Sequence, residues 1–383
     1  MFRLRVLIGL ALLLVLVAPA CQAQLGKYVP IPAGSEMDHQ LTAINNADAS
    51  QKLALIEQFA QAHPEDDYQI IADEQFVNYY LSVKQYDKAF EYGNKLFALD
   101  PDNYSNAINM IRVANEKRDT DKLYSYGEKA NAILQRYKSS SAPADTDAES
   151  WLRNREQKLA SLKDDQDYVR QSLYSGAYNV SDPAKKAGYF ERFAKMYPDT
   201  PEGAQAQAMA AISYQQAQNR PKMLEVANGA LAKDPNNITM LLILADDFSE
   251  KGEQLDKAEA YAKKAASLTD TAKKPESVSD DQWKQQLTMQ KGLALSALGQ
   301  VDIEKKLNAQ AVEQLTKAAP LLKSNPVTYA RNQYRLGFAY LNLKKNAEAK
   351  QAFTDAASVD SPYKAPSQQK IAEISGAAHK KAS

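Results

Sequence analysis

Four adjacent aspartate pairs, three histidines and one cysteine are the side chains of this chain whose types could do chemistry. The pairs are Asp66-Asp67, Asp164-Asp165, Asp246-Asp247 and Asp280-Asp281. Two carboxylates facing each other across a bond can act as acid and base in glycoside hydrolysis. Neighbours in sequence cannot face each other on a helix, where they diverge by roughly 100°. Most of these pairs fall at predicted helix starts, where a carboxylate complements the positive end of the dipole. His63 precedes Pro64 at a predicted helix end and complements the opposite pole. His39 and His379 fall in predicted flexible ends, and Cys21 lies in an apolar N-terminal segment. Neither a thiol nor an imidazole nucleophile is expected, nor a metal or cofactor site, because ligands are too few. Phosphate-binding glycine loops, H-E-x-x-H and G-x-S-x-G are absent from the sequence. The 21 tyrosines could stack on sugars, but many occupy repeat positions (Tyr80, Tyr214, Tyr340) that predict core packing.

What remains is binding. Lys+Arg 47 balances Asp+Glu 47 in 383 residues, so no basic excess points to nucleic acid. The apolar fraction of 44% is enough for a folded body, and Gly 14 with Pro 16 excludes a low-complexity chain.

The elements that would carry such a surface are clearest near the C-terminus. Leu336, Gly337, Tyr340, Ala349, Phe353 and Ala356 follow the spacing L-G-x2-Y-x8-A-x3-F-x2-A. Leu336 and Tyr340 share one face of a first helix, and Ala349, Phe353 and Ala356 share one face of a second. Gly337 lets the second helix come close, so small and large residues interlock across an antiparallel pair. Fainter copies carry Tyr80, Ala89 and Pro101 over residues 70–103, and Tyr214, Ala230 and Pro235 over 204–237. Others cover 238–271 and, most faintly, 104–137. The prolines stop each second helix, and Asp or Asn beside them opens the next turn. No segment alternates with period two, so no strand is expected.

Residues 330–362 resemble the tetratricopeptide repeat (TPR) family, departing at Gln333, where the family often has Trp, and at Pro362, one residue late. The resemblance implies an all-α fold, a right-handed α-α superhelical solenoid of helical hairpins, because one hairpin alone buries too little apolar surface. It also implies a non-catalytic scaffold that binds a protein or peptide on a face built from first helices. Some family members hold a peptide carboxylate with one Asn on each of two first helices and a basic pair on a third. Asn78 and Asn109 match the first two positions, and Arg331 with Arg335 match the basic pair, but far along the chain. Glu74 stands where the family has Lys, so that clamp is incomplete. With Arg112 and Tyr334, these residues are the candidate partner contacts, since Arg and aromatic side chains dominate binding hot spots.

A longer period overlies the repeats. Glu57–Pro64 matches Glu191–Pro198 at an offset of 134, as do Tyr80 with Tyr214 and Asp100-Pro101 with Asp234-Pro235. Trp151 matches Trp283 at 132. The reading is a tandem duplication: a first array at 48–137, a polar linker at 138–150, connecting helices at 151–181, and a second array at 182–270. C-terminal helices and the best repeat follow at 271–362, with a polar tail at 363–383 and an N-terminal linker at 24–47.

At the start, Arg3 and Arg5 precede an uncharged apolar run, Val6 to Ala20. At about 22 Å as a helix, the run falls short of a membrane core. Residues 1–23 read as a signal peptide cleaved after Ala23. The alternative is lipidation of Cys21, which follows the small Ala20. Both put the body outside the cytoplasm, in the periplasm or cell envelope of a bacterial source, with membrane contact only through this segment or the lipid. A lipid-anchored structural subunit of an envelope complex, and a glycan-binding protein or enzyme, are the alternative functions.

Overall fold

The computed structural model describes residues 25–143, 146–275 and 278–382. Residues 1–23, read above as a signal peptide, lie outside them, Cys21 included. The described residues form eighteen α-helices and no strand. The chain divides into two compact units, one ending at Asn179 and one beginning at Val180.

In the first unit, α1 (Glu36–Asn46) and α2 (Ala49–Ala62) precede two antiparallel hairpins. These are α3 (Asp66–Ser82) with α4 (Tyr86–Leu99), and α5 (Tyr104–Lys117) with α6 (Thr120–Ser139). Then come α7 (Ala148–Ser161) and α8 (Lys163–Tyr178), and α8 packs on both α5 and α6.

The second unit opens with α9 (Pro183–Met196) and stacks four hairpins. They are α10 (Pro201–Gln216) with α11 (Arg220–Lys233), α12 (Ile238–Lys251) with α13 (Leu255–Thr271), α14 (Asp280–Glu304) with α15 (Asn308–Leu322), and α16 (Pro326–Asn342) with α17 (Asn346–Ala357). A last helix, α18 (Lys364–Ala382), packs on α17. In each unit successive helices pack in chain order, and first helices also touch the next first helix, the packing of a helical-hairpin solenoid.

The punctuation in the sequence acts through side-chain caps. Pro101 lies in the turn after α4, and two residues later Asn103 caps α5 by accepting from the Asn106 N–H at 2.9 Å. Pro235 and Asn237 do the same for α12, where Asn237 accepts from Met240 at 3.1 Å. Each cap satisfies a backbone donor that a helix start leaves free. Tyr80, Ala89, Tyr214, Ala230, Leu336, Ala349, Phe353 and Ala356 are all buried, and Tyr340 packs against the core from a half-buried position. The interlock at Gly337 is tight: a Cβ there would lie 2.6 Å from the Phe353 ring.

Helix ends recur at the offset of 134: α2 with α9, α4 with α11 and α5 with α12 begin and end at matching positions. Trp151 and Trp283 each occupy the fourth residue of their helices, α7 and α14. The first unit breaks this helix at Leu162, whereas α14 runs on for 25 residues.

Several expectations are corrected. Residues 24–47 are not merely a linker: Ser35 caps α1, His39 lies within it, and the Lys27 N–H donates to Asp100 at 2.9 Å. The polar tail forms a 19-residue helix that packs on α17. Ser367 is fully buried, and Tyr363 packs on Tyr334 at 5.5 Å. Asp66-Asp67, Asp164-Asp165 and Asp280-Asp281 do occupy first turns. Asp246-Asp247 instead lies in the second half of α12, where Asp246 pairs with Arg331 and Arg335 and Asp247 with Arg220.

Candidate functional site

In the first unit, α3, α5 and α8 share a face on which polar side chains form a chain. Asn109 Nδ2 donates to Asn78 Oδ1 at 3.3 Å, and Arg112 Nη1 donates to Asn109 Oδ1 at 3.2 Å. The guanidinium continues to Asp165 at 4.0 Å and lies 5.8 Å from the centroid of the Tyr168 ring. Asn115 donates to the Tyr168 hydroxyl at 3.0 Å and to the Ser172 hydroxyl at 2.9 Å. Asn78 and Arg112 are exposed, so amide and guanidinium donors remain open to an outside acceptor.

Asn78, Asn109 and Arg112, named from the sequence, are therefore brought together. Asp165, Tyr168, Asn115 and Ser172 were missed. The three on α8 fall outside the hairpin spacing, but Asp165, Tyr168 and Ser172 at i, i+3 and i+7 mark one helical face. Glu74, on α3, accepts from Asn103 Nδ2 at 2.9 Å. Burial raises its carboxyl above the usual range, opposed by the Asn103 hydrogen bond and reinforced by Asp100. An incoming carboxylate would meet this acid where the clamp would need a lysine.

Arg331, Tyr334 and Arg335 belong to the second unit and are committed internally. Arg335 is a core residue, only 3% exposed. Its Nη2 meets Asp246 Oδ1 at 2.9 Å, its Nε donates to Glu250 at 3.1 Å, and its Nη1 donates to the Ser296 hydroxyl at 3.0 Å. Arg331 pairs with the other Asp246 oxygen at 2.8 Å. Burial pushes the Asp246 carboxyl up, but the two arginines outweigh it and hold the carboxyl below the usual range. Tyr334 packs among Phe338, Phe353 and Tyr363. The two arginines join α12 to α16, and Arg335 also reaches Ser296 of α14.

His63 caps α2, with its ring between Phe59 and Tyr68 and Nε2 bonded to Gln40 at 2.8 Å. Among the described residues, no cluster of three His, Cys, Asp or Glu side chains could hold a metal ion, and no helix is long and apolar enough to cross a membrane. The face on α3, α5 and α8 offers donors, acceptors and one aromatic ring, the chemistry of recognition.

Residues 330–363 match the tetratricopeptide repeat family model. No curated protein matches the chain. Three solved structures resemble it at low superposition. NprR in complex with its cognate peptide NprX has 14% identity and TM-score 0.37, covering 88% of this chain and 80% of that one. The Cut9–Hcn1 hetero-tetramer of APC/C has 14% identity and TM-score 0.28, covering 90% and 83%. The TPR domain of P58(IPK) has 13% identity and TM-score 0.29, covering 90% and 99%.

Proposed function

We propose that this helical-repeat chain is a non-catalytic scaffold that holds a polypeptide segment of a partner along the face shared by α3, α5 and α8, in the cell envelope. The observation that carries the reading is the hydrogen-bonded run Asn78–Asn109–Arg112, laid across two successive first helices and continued by Tyr168. Such a run presents donors and acceptors to a peptide backbone without any group that could attack it. Arg3, Arg5 and the apolar run that follows support export.

The test is crosslinking in intact cells from a photoreactive residue in place of the exposed Ser105, one turn before Asn109 on α5, followed by identification of the captured protein. Arg112→Glu, an exposed change that leaves helicity intact, should cut capture at least about tenfold. Equal capture by the variant would remove this face from the proposal.

A second reading, a lipid-anchored structural subunit, is favoured by Cys21 directly after Ala20. Mass spectrometry of the mature N-terminus separates the two: a free Gln24 supports soluble export, and a diacylated Cys21 supports the anchor.

A further inference from the structure

A cleft of about 510 Å³ opens between α2, α3 and α4, away from the face described above. Its wall carries Asp73, Glu57 and Asp66, its floor Phe76 and Tyr92, and its edge Lys95. Phe76 and Tyr92 stack at 4.2 Å, and Tyr80 continues the stack at 5.5 Å from Tyr92. Asp73 is 5% exposed. Among the described residues the other buried acids, Asp100 and Asp247, are hydrogen-bonded, whereas Asp73 has neither a hydrogen bond nor an ion pair. Asp73 lines the cleft and its oxygens are not sealed off, so a largely buried carboxylate, costly without a partner, stays open to an incoming cation. Burial pushes its carboxyl up to about 6, with Lys95 pulling the other way.

The chain's own cation does not close this gap. Lys95 Nζ is held by Glu91 at 2.9 Å and lies 4.1 Å over the Tyr92 ring. Glu57 and Asp66 add exposed negative charge from α2 and α3. Asp73 thus stands in the wall of an acidic cleft floored by aromatic rings, a setting that suits a planar or compact organic cation.

The second unit provides a comparison. A cleft of about 360 Å³ lies at the matching place between α9, α10 and α11. At the offset of 134, Asp73 becomes Gln207, Phe76 becomes Ala210 and Tyr92 becomes Val226. Glu191 stands where Glu57 does, but accepts a hydrogen bond from Tyr214. The place is repeated while the buried charge and the aromatic floor are not.

We infer that the cleft between α2, α3 and α4 binds the guanidinium or ammonium group of a basic side chain on the partner polypeptide, with Asp73 as its counter-ion. The inference rests on the scaffold reading for the polypeptide, but not for the charge. The companion cleft takes no such group.

Calorimetric titration of the full chain tests this, using an unstructured capped peptide with one central arginine and the same peptide with citrulline in its place. The arginine peptide should bind saturably, and the citrulline peptide at least about tenfold more weakly. Near pH 6 the arginine peptide should release protons, read from buffers of different ionisation enthalpy, because a bound cation favours the charged Asp73. Asp73→Asn should lose about tenfold in affinity, whereas Glu191→Gln in the companion cleft should lose nothing. Absence of saturable binding, equal binding of the citrulline peptide, or unchanged affinity in Asp73→Asn overturns the inference. The citrulline comparison needs no variant, so a misfolded Asp73→Asn would not hide the answer. Failure here with capture through position 105 intact strikes the charged cleft alone; loss of that capture with arginine binding intact strikes the scaffold reading.

Discussion

Gly337 and Asp246 show how single residues carry the fold. Alanine favours a helix over glycine by about 1 kcal/mol, so Gly→Ala in a helix ordinarily stabilises. At Gly188, where nothing lies within 4 Å of an added Cβ, that is the expected outcome. At Gly337 the same change drives a methyl group to 2.6 Å from the fully buried Phe353 ring. We expect Gly337→Ala to lose about 1–3 kcal/mol by urea unfolding. Adding Phe353→Leu should recover part of the loss, as a double-mutant cycle would read. Asp246 carries a pH dependence. Its folded carboxyl is held below the usual range, so the stability it contributes is fully present above its unfolded pKa, about 3.9. That contribution is lost as the pH falls through the lower folded value. Asp246→Asn should be less stable than wild type at neutral pH and should show a shallower decline below about pH 4. Parallel acid limbs in the two melting profiles would contradict this.

At the scale of elements, caps and register explain what could be read from the chain. The hairpin α16/α17 was legible because every residue of its pattern contacts others within about one repeat, and the spacing encodes those contacts directly. The arginines of α16 were not, because Asp246 lies 85 residues before Arg331 and 89 before Arg335. Periodicity cannot report a partner at that distance, and an arginine on a first helix looks the same whether it faces solvent or a buried acid. The polar tail hid a helix for a related reason: Tyr363 and Ser367 are too few to register as an apolar stripe. On the candidate face, Asn78 and Asn109 were visible as repeat positions, whereas Tyr168 was not, since its helix follows no repeat. The Asp73 cleft was invisible because exposure and missing partners are properties of packing. The caps yield a graded prediction. Asn237→Ala should cost about 1 kcal/mol, the usual value of a lost N-cap. Asn103→Ala should cost more, since its amide also donates to the partly buried Glu74. Denaturant midpoints of the two variants give the order.

For the whole molecule, the division at Asn179 and Val180 sets the expected unfolding behaviour. Each unit has its own buried core, so fragments 25–179 and 180–383 should each show helical circular dichroism and a thermal transition. Fragments without a transition would mean that the units depend on each other. Linear repeats ordinarily fray one module at a time, since each module answers only to those on either side. The salt links from Arg331 and Arg335 to Asp246 step over the intervening pair α14/α15 and tie modules two places apart. In hydrogen exchange, amides from α12 to α17 should then open together with one shared free energy, and Arg335→Met should release them into separate steps. A clasp of this kind turns part of a string of beads into a single block, and it fixes the length of chain that must be lost at once before any piece of it yields.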